Sequence, residues 1–381
     1  MENKKLVMIP GPTPVTRSIM DEMGRETVAF KDPGFVNDYK ELIVDLKEMW
    51  HAEEAFAISG TGTLAMEMAV ANTVKAGDSV LVVSHGFFGD RFIDMFERRG
   101  VNVDVLAAEW GTTYSLKEIE KKLEEKEYQA ITVTHVDTAT GVKADVEAIG
   151  EIISRFPNTI YIVDGVCSTA AEREYLKEMN IDILLSGSQK AFGVAPGLAL
   201  LWVSKASLER RAELGTIMDS YIDFDKWLPI MKDPMKYWGT PTINLIWALK
   251  ESVRLIKEEG MENRFERHLL DSRAIEKAIL SLGFGILADD SCRAVTLTNC
   301  IYPEGIDDAD FRAILSEEGV IVGGGLGAYA GKLFRLGHMG NIDKHTIVST
   351  LAALERALYR SGQEVEFGKS IGVYLEETLK S

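Results

Sequence analysis

Between Phe35 and Trp50 apolar residues recur at the three- and four-residue spacing of an amphipathic helix, and they do so again from Leu64 to Val74. Short continuous apolar runs then take over. Ser79–Val83, Val101–Leu106, Ala130–Thr134, Ile160–Val163, Ile183–Leu185 and Leu198–Val203 read as buried strands. Helical stretches separate most of them, at Phe88–Arg98, Ser115–Lys126 and Val146–Phe156. Ser115 with Glu118 predicts a capping box on the second of these helices. Strands alternating with helices predict an α/β fold, its mostly parallel sheet sandwiched by helices.

The rhythm changes around Pro241–Leu245. One long helix runs to about Glu259 and another from about Asn263 to Leu282. Ala294–Ile301 follows as an apolar strand, then a helix over Asp308–Glu318, strands at Val320–Val322 and Leu333–Leu336, and a last helix over Lys344–Tyr359. This pattern predicts a smaller α+β domain over 246–381, after a large domain over 1–245. The tail beyond Arg360 is polar, which predicts a peripheral position.

Composition narrows the function. A chain of 381 residues fits two domains in one compact subunit, and a net charge of −17 sets nucleic acid aside as a partner. The three cysteines have neither a disulfide framework nor metal-ligand spacing, and the six histidines show no ligand pattern, so no metal is expected. Met1–Lys5 lacks the apolar run of a signal peptide, and no later segment reaches membrane-spanning length. The expected compartment is the cytoplasm, with no membrane partner.

Candidate chemistry concentrates at strand ends. Ser186-Gly187-Ser188-Gln189-Lys190 places one lysine after the strand Ile181–Leu185, among small neighbours that suit a Schiff-base lysine. Read alone, it is equally a surface lysine in a hairpin. Thr159–Asp164 is a second buried strand, ending in a carboxylate where open α/β sheets carry their chemistry. A strand-end carboxylate with an imine-forming lysine is the pair that pyridoxal phosphate requires, although Asp164 alone also reads as a helix cap. Ser59-Gly60-Thr61-Gly62-Thr63, opening a helix, offers N–H groups and hydroxyls to a phosphate, or a plain cap. No Walker or Rossmann glycine pattern accompanies it.

Taken in order from Pro10-Gly11-Pro12 to about Leu358, these motifs resemble the class V, fold-type I aminotransferases, above all the alanine–glyoxylate and serine–pyruvate group. The resemblance implies a pyridoxal 5′-phosphate enzyme that moves an amino group from a small amino acid to a 2-oxo acid by a ping-pong route. It implies that Lys190 holds the cofactor and shuttles the proton, and that Asp164 pairs with the pyridine nitrogen. Thr61, Gly62, Thr63 and Gln189 match the phosphate site, where the family commonly has Ser-Gly-His. Phe88 falls where the family places a stacking Trp, Thr138 matches a hydroxyl ligand, and Val166 packs on the opposite ring face. Tyr237 and Thr240 match residues that reach the neighbouring subunit's phosphate, which implies a homodimer. Arg335 matches the clamp on the substrate carboxylate, and Gly323–Gly327 before it reads as a mobile loop over the site.

An arginine within an apolar strand calls for a buried anion, either a substrate or an internal acid. Ala29-Phe30-Lys31-Asp32-Pro33 replaces the Gly-His-Arg often seen near the family's substrate entrance. Three other readings compete: an aspartate- or aminoethylphosphonate-type transaminase, a non-catalytic subunit on the same fold, and a cysteine desulfurase. The last needs a nucleophilic Cys on a mobile loop, whereas Cys300 lies in an apolar strand.

Overall fold

The computed structural model describes residues 5–379, so the Met1–Lys4 portion of the N-terminal run lies outside it. Seven strands build the central sheet: β1 (Glu54–Ser59), β2 (Ser79–Ser84), β3 (Asn102–Ala107), β4 (Ala130–Thr134), β5 (Ile160–Asp164), β6 (Ile183–Gly187) and β7 (Leu198–Val203). Their spatial order is β1-β7-β6-β5-β4-β2-β3. β7 runs antiparallel to β1 and β6, and all the other pairs are parallel. Every residue of β4 to β7 is buried, which is why these strands read as unbroken apolar runs.

The six expected strands recur within a residue or two. β1 was not anticipated, because Glu54 at its start reads as surface. Its buried carboxylate is paired at 2.9 Å by Lys47, near the end of the preceding helix, and at 3.2 Å by the distant Lys232, a compensation that the apolar pattern does not show.

Helices cover the sheet: α1 (Pro33–Met49), α2 (Gly62–Ala71), α3 (Phe87–Glu97), α4 (Leu116–Glu125) and α5 (Val146–Ile153). Asp32 caps α1 by accepting from Phe35 N–H. α4 starts after Ser115 as expected, yet the capping box does not form. The Glu118 N–H donates to the Ser115 backbone carbonyl at 3.0 Å, and the Ser115 side chain makes no cap bond.

The C-terminal half carries α6 (Ile243–Glu259) and α7 (Met261–Ser281), which meet at Gly260 in the left-handed region with φ 83°. Beyond them β8 (Gly285–Ile286), β9 (Leu297–Ile301), β10 (Gly323–Gly324) and β11 (Leu333–Gly337) form an antiparallel sheet ordered β8-β9-β11-β10. α8 (Asp308–Glu317) and α9 (Lys344–Arg360) close a second core around Phe311, Phe334 and Leu354. Met8 joins that core, and Leu6–Val7 pairs in parallel with Val320–Ile321. The Gly323–Gly327 run is only partly a loop, since its first two glycines pair with β11.

The polar tail is not peripheral. It folds into α10 (Lys369–Leu379), which packs on α7 with Tyr374 fully buried. The Tyr374 hydroxyl donates to Asp271 at 2.9 Å, and the Ser370 N–H and hydroxyl both donate to Glu355. Its inward polar groups meet buried acids of α7 and α9, so polarity here does not mean exposure.

Candidate active site

The carboxyl ends of β4, β5 and β6 meet the N-termini of α2 and α3 around a cavity of about 340 Å³. Thr61, Gly62, Thr63, Phe88, Thr138, Asp164, Val166, Gln189 and Lys190 all line it. Tyr237, Thr240 and Arg335 do not.

Lys190 does sit in the connection between two antiparallel strands, β6 and β7, but its side chain is turned into the cavity. Its Nζ donates to the Pro10 carbonyl. The Thr13 hydroxyl donates to the Lys190 carbonyl at 2.6 Å, so the N-terminal segment clamps the lysine from outside. Burial lowers the ammonium pKa; Cys167 and Asp164 oppose that fall, and Arg335 adds to it.

Asp164 ends β5 and accepts from the Val166 N–H at 3.0 Å. Burial pushes its pKa up to about 7; the Val166 N–H and Lys190 counter this, while the Asp137 and Glu174 carboxylates add to it. Behind it, Glu174 is wholly buried, and its Oε1 accepts from the Ser168 hydroxyl at 2.5 Å. The same oxygen lies 2.5 Å from His135 Nδ1, and His135 N–H donates to the Asp164 carbonyl at 2.9 Å. No local signal marks Glu174, because Glu172-Arg173-Glu174 reads as a solvated run.

Phe88 owes its place to a residue that sequence reasoning passed over. Asp137 Oδ2 accepts from Phe88 N–H at 2.7 Å and from Gly89 N–H at 3.2 Å, while Oδ1 accepts from Ala139 N–H at 2.8 Å. Asp137 is therefore a long-range cap on α3 that also holds the turn carrying Thr138. A Cβ on Gly86 would sit 2.5 Å from Asp137 Cγ, so only glycine admits this carboxylate. Arg91, also in the wall, lays its guanidinium 4.7 Å from the Phe88 ring centre.

The Thr61 hydroxyl makes no cap bond, which leaves first-turn N–H groups of α2 uncapped beside the cavity. A Cβ on Gly62 would lie 2.7 Å from Val166 Cγ2, so the backbone of α2 approaches the β5 turn as closely as glycine allows. Gln189 Oε1 is buried there without a partner.

Tyr237 is 55% exposed; its hydroxyl lies 3.2 Å from the Thr240 hydroxyl and its ring 4.9 Å from that of Phe30. Arg335 is half-buried on β11, where Nε donates to the Gly324 carbonyl at 2.7 Å. Among the described residues no carboxylate forms an ion pair with it, and Asp137 reaches it only as a more distant charge, so the internal-acid alternative is not realised as a salt bridge. All three cysteines are buried, and burial pushes the Cys167 thiol up to about 11. None is the mobile nucleophile that a desulfurase needs.

The family model for aminotransferase class V matches residues 35–338. An uncharacterized aminotransferase of Methanocaldococcus jannaschii is 35% identical over 368 residues, 95% of each chain. The ureidoglycine–glyoxylate aminotransferase of Bacillus subtilis superposes with a TM-score of 0.93 at 29% identity, covering 98% of each chain. The alanine–glyoxylate aminotransferase of a Nostoc species does so with 0.89 at 33% identity, covering 93% of this chain and 95% of that one.

Proposed function

The chain belongs to the class V aminotransferase family, enzymes that transfer amino groups, and on that premise we propose that it works with pyridoxal 5′-phosphate between a small amino acid and a 2-oxo acid. Glyoxylate is the acceptor that the Bacillus and Nostoc neighbours share by name. One observation carries the reading: Lys190 and Asp164 face a single cavity from neighbouring strand ends, beside an uncapped helix N-terminus.

The cavity fits the cofactor on its own terms. The free N–H groups of α2, the Thr61 and Thr63 hydroxyls and the Gln189 amide suit a phosphate. Phe88 and Val166 offer apolar faces to a ring, and Thr138 offers a hydroxyl. Asp164, raised by burial, regains an ionised state when paired with a pyridinium. When bound, the cofactor supplies an electron sink for charge developing at the substrate Cα.

The remaining work falls to the chain. Lys190 is the attachment point and, once released, moves the proton at the substrate Cα. Its lowered pKa suits that task, since a base poised nearer neutrality is free to accept. Asp164 holds the proton on the ring nitrogen. Arg335, with two guanidinium nitrogens outside its bond to Gly324, takes the substrate carboxylate. Tyr237 and Thr240 complete the phosphate site of a second subunit in a homodimer.

The test combines a spectrum with a peptide map. Purified protein with cofactor absorbs in the visible or near-ultraviolet, and borohydride fixes the cofactor to the peptide holding Lys190. Labelling of any other lysine overturns the assignment. A panel of amino donors against glyoxylate, pyruvate and 2-oxoglutarate then identifies the pair used.

A further inference from the structure

Asn299 and Arg335 are direct cross-strand neighbours on the antiparallel pair β9 and β11, so their side chains share one face of the small sheet. The opposite face carries Cys300, Phe334 and Leu336 into the C-terminal core. Leu297, two residues before Asn299, packs instead into the core of the large sheet. The Asn299–Arg335 face therefore looks toward the cavity side of the molecule.

Asn299 is 1% exposed and divides its amide between two tasks. Nδ2 donates to the Ala139 carbonyl at 2.9 Å and reaches the Thr138 carbonyl at 3.4 Å. Oδ1 is buried with no partner. A buried acceptor left unpaired is costly, and directly across the strand pair stands Arg335, whose guanidinium keeps donors beyond its bond to the Gly324 carbonyl on its other side. The Thr138–Ala139 turn is thus gripped from two sides: Asp137 Oδ1 takes the Ala139 N–H, and Asn299 takes the carbonyls.

We infer that Asn299 is a positioning residue for the reaction, joining the arginine that receives the substrate carboxylate to the turn that carries Thr138. The inference rests on the carboxylate role proposed for Arg335. Nδ2 fixes the side chain to the turn. Oδ1 accepts a guanidinium N–H when Arg335 presents its other donors to substrate, and this sets the plane of the fork. A planar bidentate pair depends on that plane as much as on charge.

The experiment uses the cofactor-loaded protein and propionate, a monocarboxylate with no amino or oxo group, titrated by calorimetry. Asn299→Ala and the isosteric Asn299→Asp are compared with Arg335→Lys and with the Asn299→Ala/Arg335→Lys double variant. We expect Asn299→Ala to weaken propionate about tenfold and to raise KM for donor and acceptor alike, with kcat within about threefold. Asn299→Asp weakens it further, because its carboxylate occupies the guanidinium itself. The double variant is no weaker than Arg335→Lys alone, the mark of two residues acting as one unit. Wild-type propionate affinity in both Asn299 variants, whatever happens to Tm, overturns the inference while leaving the Arg335 role standing. Unchanged affinity in Arg335→Lys removes that role and the inference with it.

Discussion

The positions of Lys190 and Asp164 were legible because Asp164 ends, and Lys190 closely follows, a strand that can only be buried, and chemistry collects at such ends. Asp137, Glu174 and Asn299 were not, since each acts on a partner far away in sequence. The environment of Asp164 leads to a pH prediction. An acid with a pKa of about 7 in the fold and about 3.9 unfolded keeps a proton that unfolding releases. Its contribution to stability is therefore complete below its unfolded pKa and lost as pH rises through its folded one. Cofactor-free protein should lose Tm between about pH 4 and pH 8, and Asp164→Asn should flatten that loss. Parallel Tm–pH curves for the two proteins would show that Asp164 is not the group responsible. With cofactor bound, Asp164→Asn should instead weaken cofactor retention, read by dialysis and absorbance.

Among elements, the parallel strands were readable because burial on both faces leaves an uninterrupted apolar run. β1 and α10 escaped because each owes its place to polar groups satisfied elsewhere, Glu54 by two lysines and Tyr374 by Asp271. The C-terminal helix is thus a structural element with a measurable share in stability. Tyr374→Phe removes the donor and leaves a buried carboxylate short of a partner, at a cost of about 1–3 kcal/mol in denaturant unfolding. A change below a few tenths of a kcal/mol would mean that water replaces the hydroxyl. At the start of α2, Gly62→Ala forces a methyl against Val166 and should lower cofactor affinity while leaving the far-ultraviolet spectrum intact. Retention of normal affinity would show that the turn after β5 can yield.

For the whole molecule, the exposed apolar side chains matter most. Met218, Tyr221, Met235, Tyr237 and Trp238 stand out on a stretch that also holds Thr240. Exposed apolar side chains concentrated on one stretch support the proposed homodimer, in which Tyr237 and Thr240 reach a partner's cavity. Light scattering should give twice the 42.2 kDa chain mass, and Tyr237→Ala should release cofactor without altering Lys190. A fully active monomer would refute shared sites. The change of rhythm near residue 241, where long helices replace the alternation of strand and helix, was visible in the sequence; the crossing of Leu6–Val7 to Val320–Ile321 was not, because two residues carry no periodicity.

That crossing sets a timetable for biosynthesis. The N-terminal arm holds the Pro10 carbonyl against Lys190 and Thr13 over its backbone, yet the strand it pairs with lies far downstream of the lysine and is made long after it. While the ribosome is still extending the chain, the large sheet can assemble with its lysine unroofed. The wall formed by Gly11 and Pro12 has one anchor in the Thr13 bond to the Lys190 carbonyl and gains its second only when Val320–Ile321 has emerged. The proposed cofactor site is thus walled on this side by segments from both halves of the chain, and its closure waits for the later one.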